Sequence, residues 1–282
     1  MALEDIEIIS ADSMQVYRGM DVGTAKPSLA DRSLVRHHLI DVAEPSEDWD
    51  VTRFVAAANS AISQVEARGH RPLLVGGTGL YVHALIDGFE IPGRWPEVAA
   101  RLEESSTNEL YRRLSELDPG AARKIDPGNR RRLVRALEVV IGSGRQFSSY
   151  GPGVGAFPPT EWSLAGVWLP RAVVDERAAR RLEKMLQEGL VDEVRALAQR
   201  GLSRTARQAL GYKEILEHVE AGVALDEVVD KIRRRTLRFA RRQRMWWRRD
   251  PRVRWFGAVL DPIEILPALL VYWCNEQSCR TG

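Results

Sequence analysis

Residues 8–27 read "IISADSMQVYRGMDVGTAKP": a short apolar run stops at a carboxylate and a hydroxyl, Asp12 and Ser13. Gln15, Tyr17, Arg18, Thr24 and Lys26 follow by residue 26. Polar groups at the end of a buried strand cost folding free energy unless they are hydrogen-bonded or hold something. A carboxylate placed there can accept a proton, and the neighbouring amide, hydroxyl and cations can hold a base or a phosphate. Asp12 and Ser13 could equally cap a helix start. A second run, "PLLVGGTGLYVHALIDG" at 72–88, breaks at Gly76-Gly77-Thr78-Gly79 into helically spaced apolar residues. It is either a ligand-binding turn at a helix N-terminus or a tight strand-to-helix turn with Thr78 as cap.

Basic segments come next. "NRRRLVRALE" at 129–138 sets Arg131, Arg132 and Arg135 within about one turn of helix, which a solvated face would also explain. "KIRRRTLRFARRQRMWWRRDPRVRW" at 231–255 interleaves arginines with Phe239, Trp246, Trp247 and Trp255. Arginines pair with phosphates and aromatic rings stack on splayed bases, so the segment suits single-stranded RNA. The plainer reading is an amphipathic helix whose aromatic residues belong to a core. Arg177 and Arg181, four apart, either clamp a phosphorylated ligand or pair with Glu176 and Glu183.

The elements that must position these residues alternate. Strand patterns lie at Glu7–Ala11 and 37–42, followed by a helix over 51–69 and the strand, turn and helix of 72–88. After a charged helical stretch at 97–144, a strand around "WSLAGVWLP" leads into one long helix over 175–201 and two further helices. That order predicts an α/β protein with a parallel sheet, whose ligands bind beyond the carboxyl ends of the strands. The expected organisation is a discontinuous core, residues 1–96 and 145–256, a helical insertion at 97–144 and a tail at 257–282. A chain of 282 residues with 44% hydrophobic content can bury a core, and its net charge of +2 leaves the charge distribution to carry the information. No run of about 18 apolar residues and no secretion-type N-terminus occurs, so neither a membrane nor secretion is expected. The two cysteines, Cys274 and Cys279, read as free thiols in a reducing cytoplasmic setting.

Taken together, "ISADSMQVYRGMDVGTAKP", "HHLIDVAEPSEDWDV", "PLLVGGTGLYVHALIDG", "RRRLVRALEV", "ARRLEKMLQEGLVDEVRAL", "ARQALGYKEI" and "FARRQRMWW" resemble the tRNA dimethylallyltransferase family, across most of the chain. The resemblance implies a P-loop NTPase-like parallel sheet. It also implies transfer of a dimethylallyl group from its diphosphate, with Mg²⁺ on that diphosphate, to N6 of the adenosine 3′-adjacent to the anticodon. The family pattern makes Asp12 the proton acceptor and gives Thr78 and Arg181 catalytic positions, Arg181 near the leaving diphosphate. Contacts to tRNA fall on Asp12, Ser13, Met14, Gln15, Thr78, Arg101, Arg131, Arg132, Leu133, Val134, Arg135, Arg238, Arg241, Arg242 and Gln243. The implied partners are the tRNA anticodon stem-loop and dimethylallyl diphosphate, with a monomer as the working unit.

Two departures from the pattern stand out. Ala99 occupies the place of a family arginine, with Arg101 two residues on. More consequentially, no G-x-x-x-x-G-K-[ST] phosphate loop occurs, and the resemblance implies such a loop and its strand ahead of Glu7, in the middle of the sheet. A late start, a truncation or a degenerate paralogue would each produce this. Four buried aliphatic side chains on such a strand would contribute roughly 8 kcal/mol, so the chain by itself is expected to be unstable or inactive. An RNA-binding protein without catalysis remains the rival reading. A nucleotide kinase would fit the fold but not the basic aromatic segment.

Overall fold

The computed structural model describes residues 5–151 and 153–278. Two units divide the chain, one made of residues 1–86 and 159–282, the other of 87–158. In the first, β1 (Ile6–Ser10), α1 (Leu29–Leu34), β2 (His37–His38), α2 (Val51–Ala67), β3 (Arg71–Val75) and α3 (Gly79–Ile86) come before the insertion. After it come β4 (Ala165–Trp168), α8 (Arg171–Gln187), α9 (Leu190–Arg200), α10 (Tyr212–Ala221), α11 (Leu225–Trp247), β5 (Arg254–Gly257) and α12 (Leu266–Ser278). The second unit holds α4 (Pro96–Leu102), α5 (Thr107–Leu117), α6 (Pro119–Lys124) and α7 (Arg130–Ser143).

The parallel α/β expectation holds, with the strands in two groups. A three-stranded sheet has the order β2-β1-β3, and β4 pairs with β5. Every pair is parallel. β1 lies between its neighbours with Ile9 wholly buried, and Phe54, Ala58 and Ala61 of α2 turn their apolar face to the same core as Val16, Tyr17 and Met20. Asp50 caps α2 by accepting from the N–H groups of Thr52 and Arg53, both at 3.0 Å.

Four expectations need correction. The strand over 37–42 stops at His38, because Leu39 and Asp41 adopt φ of 62° and 56°, which no strand can continue through. The long helix over 175–201 is two helices, broken at Gly189 with φ of 93°. The insertion is wider than 97–144. Residues 87–96 belong to it because Arg145 pairs with Glu90, Arg135 donates to the Pro92 carbonyl at 2.7 Å, and the Trp95 N–H donates to Glu138 at 2.7 Å. Nor is 257–282 a separate tail. Phe256, Ala258, Ile265 and Tyr272 form an apolar cluster with Leu169 ahead of α8. Cys274 is exposed, and Cys279 lies outside the described residues.

At the amino end of the sheet a carboxylate is buried in the middle strand. Glu7 accepts from Arg68 Nε and Nη2 at 2.8 and 2.7 Å, and His38 and His70 lie at 2.6 and 2.9 Å. The Arg68 hydrogen bonds hold this carboxyl well below the usual range, against the opposing effect of burial. A depressed carboxylate stabilises the fold above its unfolded value near 4.5, and that stability is lost as pH falls below it. Glu7→Gln is expected to lower stability at neutral pH by about 3 kcal/mol, since Arg68 loses its partner. Urea unfolding from neutral to acid pH should then show a flatter acid limb for the variant than for the parent chain.

Candidate active site

The register of β1 on β3 assembles the site. Ser10 is paired with Val75, and the Ala11 N–H donates to the Val75 carbonyl at 2.7 Å, so both strands end side by side. Residues 12–15 and 76–79 therefore leave the sheet from the same edge, where parallel sheets bind ligands. The turn could not be this close with a side chain at Gly76, whose Cβ would lie 2.6 Å from the Ala11 carbonyl carbon.

Asp12 divides its two carboxylate oxygens. Its Oδ1 accepts from the N–H groups of Met14 at 2.8 Å and Gln15 at 3.3 Å, as a cap does. Among the described residues its Oδ2 has no hydrogen-bond partner and stays available. Ser13 beside it is half-buried, and Met14 packs against the core. Gln15 is tied at both ends: its amide donates to the Thr24 carbonyl at 3.2 Å and its oxygen faces the Ser10 hydroxyl at 3.4 Å.

The loop that follows is held from within. Glu193 of α9 accepts from the N–H groups of Asp21 at 2.9 Å, Val22 at 2.8 Å and Gly23 at 3.2 Å, filling an amide nest of the kind that binds anions. It also accepts from the Tyr212 hydroxyl at 2.5 Å; burial, then the Glu193 charge, push that phenol far above its usual value. Lys26 is buried and donates to the Tyr17 carbonyl, Asp21 and Asp41 at 2.5–2.7 Å. It is thus a structural cation and not a ligand-binding one. Burial raises the Asp41 carboxyl, but hydrogen bonds from Lys26 and Arg32 outweigh it and leave the group lowered.

Across from this loop, the Thr78 hydroxyl makes no hydrogen bond among the described residues, while its carbonyl accepts from Tyr81 and Val82 at 2.9 and 3.2 Å to start α3. The end of α11 lies directly on the turn. Gln243 donates to the Gly77 carbonyl at 3.0 Å, which makes it a support for the turn whatever else it touches. A Cβ at Gly77 would meet Gln243 Nε2 at 2.1 Å, and one at Gly79 would meet Trp246 Nε1 at 2.0 Å.

The remaining expected contacts distribute by exposure. Arg181 and Arg177 are exposed on α8 without an ion pair among the described residues, Glu176 being taken by Arg180. Among the described residues no hydrogen bond or ion pair joins Arg181 to Asp12 or Thr78. In the insertion, Arg101, Arg131 and Arg132 are exposed. Leu133 and Val134 are core residues of that unit, and Arg135 is bound to Pro92 and, at 2.9 Å, to Glu138. The helix face that carries Arg131 and Arg132 is the one open to solvent. On α11, Arg238 and Arg242 line a small cleft with Lys231 and Arg235, all within the basic segment read at 231–255. Arg241 instead lines a larger apolar slot of about 920 Å³ between β3 and β4, walled by Pro72–Val75, Ala165–Trp168 and Trp247. The slot arises from the way the strands fall into two groups, β2-β1-β3 and β4-β5.

The family model described as IPP transferase matches residues 15–250. The chain belongs to this family. A tRNA dimethylallyltransferase of Kineococcus radiotolerans is 47% identical over 272 residues, covering 94% of this chain and 85% of that one. Among solved structures, the full-length tRNA isopentenylpyrophosphate transferase of Bacillus halodurans superposes with a TM-score of 0.70 at 35% identity, covering 98% of this chain and 91% of that one. A eukaryotic dimethylallyltransferase acting on tRNA shares the fold at a TM-score of 0.73 and 24% identity, over 90% of this chain and 67% of that one. Similarity to solved family members thus extends over both the Asp12 loop and the Gly76–Gly79 turn. Among the described residues no helix is long and apolar enough to cross a membrane.

The turn offers a graded test. Gly79→Ala sets a methyl group into the Trp246 ring edge, and melting should show a loss of about 1–3 kcal/mol. Gly77→Ala meets only the end of a flexible Gln243 and should cost clearly less.

Proposed function

We propose that the chain transfers a dimethylallyl group to N6 of the adenosine next to the anticodon in tRNA, with Asp12 as the proton acceptor. The observation that carries this reading is the divided Asp12 carboxylate: Oδ1 is committed to the backbone and Oδ2 is free, beside the Thr78 turn at the ends of two adjacent strands. An exocyclic amine is a weak nucleophile, so a fixed base favours its attack. N6 attacks the first carbon of the dimethylallyl group, the carbon–oxygen bond to the diphosphate breaks, and the N6 proton passes to Asp12. Such chemistry needs the adenine out of the stack, where Ser13, Met14 and the Thr78 hydroxyl can border it. Every residue in this reading comes from one chain, which makes a monomer sufficient, and the expected setting is the cytoplasm.

Mg²⁺ would enter with the diphosphate of the donor and offset its charge. Arg181 is the proposed counter-charge for the leaving diphosphate. The 282 residues contain no phosphate-loop sequence, and the slot between β3 and β4 has apolar walls on both sides. A further parallel strand there would join the two groups of strands, and its following loop would emerge on the same edge as Asp12 and Thr78. Efficient transfer, in this reading, requires that strand and loop.

Asp12→Asn keeps an acceptor for the Met14 N–H and removes the base. In a form that carries a grafted strand and phosphate loop it should lower turnover about 10²–10⁴-fold while melting temperature and tRNA affinity stay near the parent values. Affinity falling in parallel with rate would make Asp12 a structural residue. Replacing Arg131 and Arg132 together by Ala should weaken tRNA binding and reduce the slope of log affinity against log salt by roughly 1.5. An unchanged slope would remove this face from the interface.

A further inference from the structure

We infer that His83 is a positioning residue that fixes the Thr78 turn through Trp246. His83 lies on α3 one turn beyond Gly79 and is nearly inaccessible, at 2% exposure. Trp246 Nε1–H donates to its Nδ1 at 3.2 Å. An indole nitrogen only donates, so His83 Nδ1 must be the unprotonated nitrogen. Its Nε2 then carries the proton and donates to Asp250 Oδ2 at 3.0 Å. Asp250 is buried as well, which raises its carboxyl, but hydrogen bonds from Arg252 and then His83 bring it below its ordinary value. Arg252 grips it with Nε and Nη2 at 2.9 and 2.8 Å and with its own backbone N–H at 2.9 Å.

The chain Arg252, Asp250, His83, Trp246 thus fixes one tautomer and one ring orientation, as a carboxylate does for a metal-bound or catalytic histidine. Ring contacts reinforce it: the His83 ring stacks on that of Trp246 at 5.9 Å and meets that of Trp247 at a tilt of 49° and 5.1 Å, centre to centre. What is oriented is the indole edge, and that edge touches the turn where a Cβ at Gly79 would be. Gln243, one turn before Trp247, holds the Gly77 carbonyl. Thr78 sits between these two supports. Nothing in the network reaches a substrate; it acts by keeping α3 and the end of α11 in one relative position, so that the Thr78 hydroxyl has a fixed place.

The geometry stands independently of the transfer reaction, whereas its effect on turnover rests on the proposed function. The test therefore has two readouts. Hydrogen exchange in the free protein, at the Tyr81 and Val82 amides that bond to the Thr78 carbonyl, reports the turn without RNA. His83→Phe loses both hydrogen bonds while keeping an aromatic ring, Trp246→Phe loses only the donor, and His83→Gln retains an acceptor and a donor. Exchange at these two amides should rise about tenfold in His83→Phe and Trp246→Phe, remain close to the parent in His83→Gln, and stay unchanged in α2. Unchanged exchange in both aromatic variants, or an equal rise across α2, would overturn the positioning role. Transfer kinetics in the same variants, measured in a form with a grafted strand and phosphate loop, should show kcat falling with the KM for tRNA within about twofold. Should that grafted parent bind tRNA without transferring, the reaction proposed above fails, and the exchange result still decides the role of His83.

Discussion

The pairing of β1 with β3, with Ser10 set beside Val75, is the constraint on which the site depends. Because side chains alternate along a strand, a slip of one residue would turn Ile9 out of the core and separate Asp12 from the Gly76–Gly79 turn. Two features hold the register from opposite ends. At the amino end Glu7 is ringed by Arg68, His38 and His70, a buried charge that loses its partners if the strands shift. At the carboxyl end Gly76 admits the close passage of the turn over Ala11. Polar groups that would be costly in an ordinary strand end are thereby fixed where an open parallel sheet leaves a crevice.

Rigidity of the loop after Asp12 comes from charges used internally. Glu193 fills an amide nest with a carboxylate of the protein itself, and Lys26 neutralises Asp21 and Asp41 under the loop. The cost of burying these ions is offset by their mutual hydrogen bonds, and the result is that Gln15 and the Thr24 carbonyl keep a fixed relation. Reaction at a single base edge needs such fixed surroundings, since catalysis rests on positioning before it rests on proton transfer.

This distinction also explains what the sequence could show. The strand ends, the glycine turn and the helix at 51–67 were legible because their signals are local: an apolar run, a break, a helical period. Residue roles that depend on packing were not. Leu133 and Val134 lie within a contiguous basic motif that the family resemblance carries over as one RNA-contacting run, yet both are buried in the apolar face of the helix. Lys26 reads as an anion-binding group until Asp21 and Asp41 are seen on either side of it. The break at Gly189 and the end of the strand at His38 depend on left-handed backbone at single residues, where the sequence pattern continues unbroken. The position of Gln243 and Trp246 on the Gly77–Gly79 turn joins residues about 165 apart in the chain, beyond any local pattern.

The apolar slot between β3 and β4 connects these points to the proposed transfer, in which a further strand and phosphate loop would hold the donor. The most direct measurement compares prenyl transfer to tRNA carrying an adenosine next to the anticodon by this chain and by a version bearing a strand and phosphate loop joined ahead of residue 5. The account predicts similar tRNA affinity in both and substantial transfer only in the extended version. Equal transfer by the two, or a folded extended version that binds tRNA and transfers nothing, would contradict it.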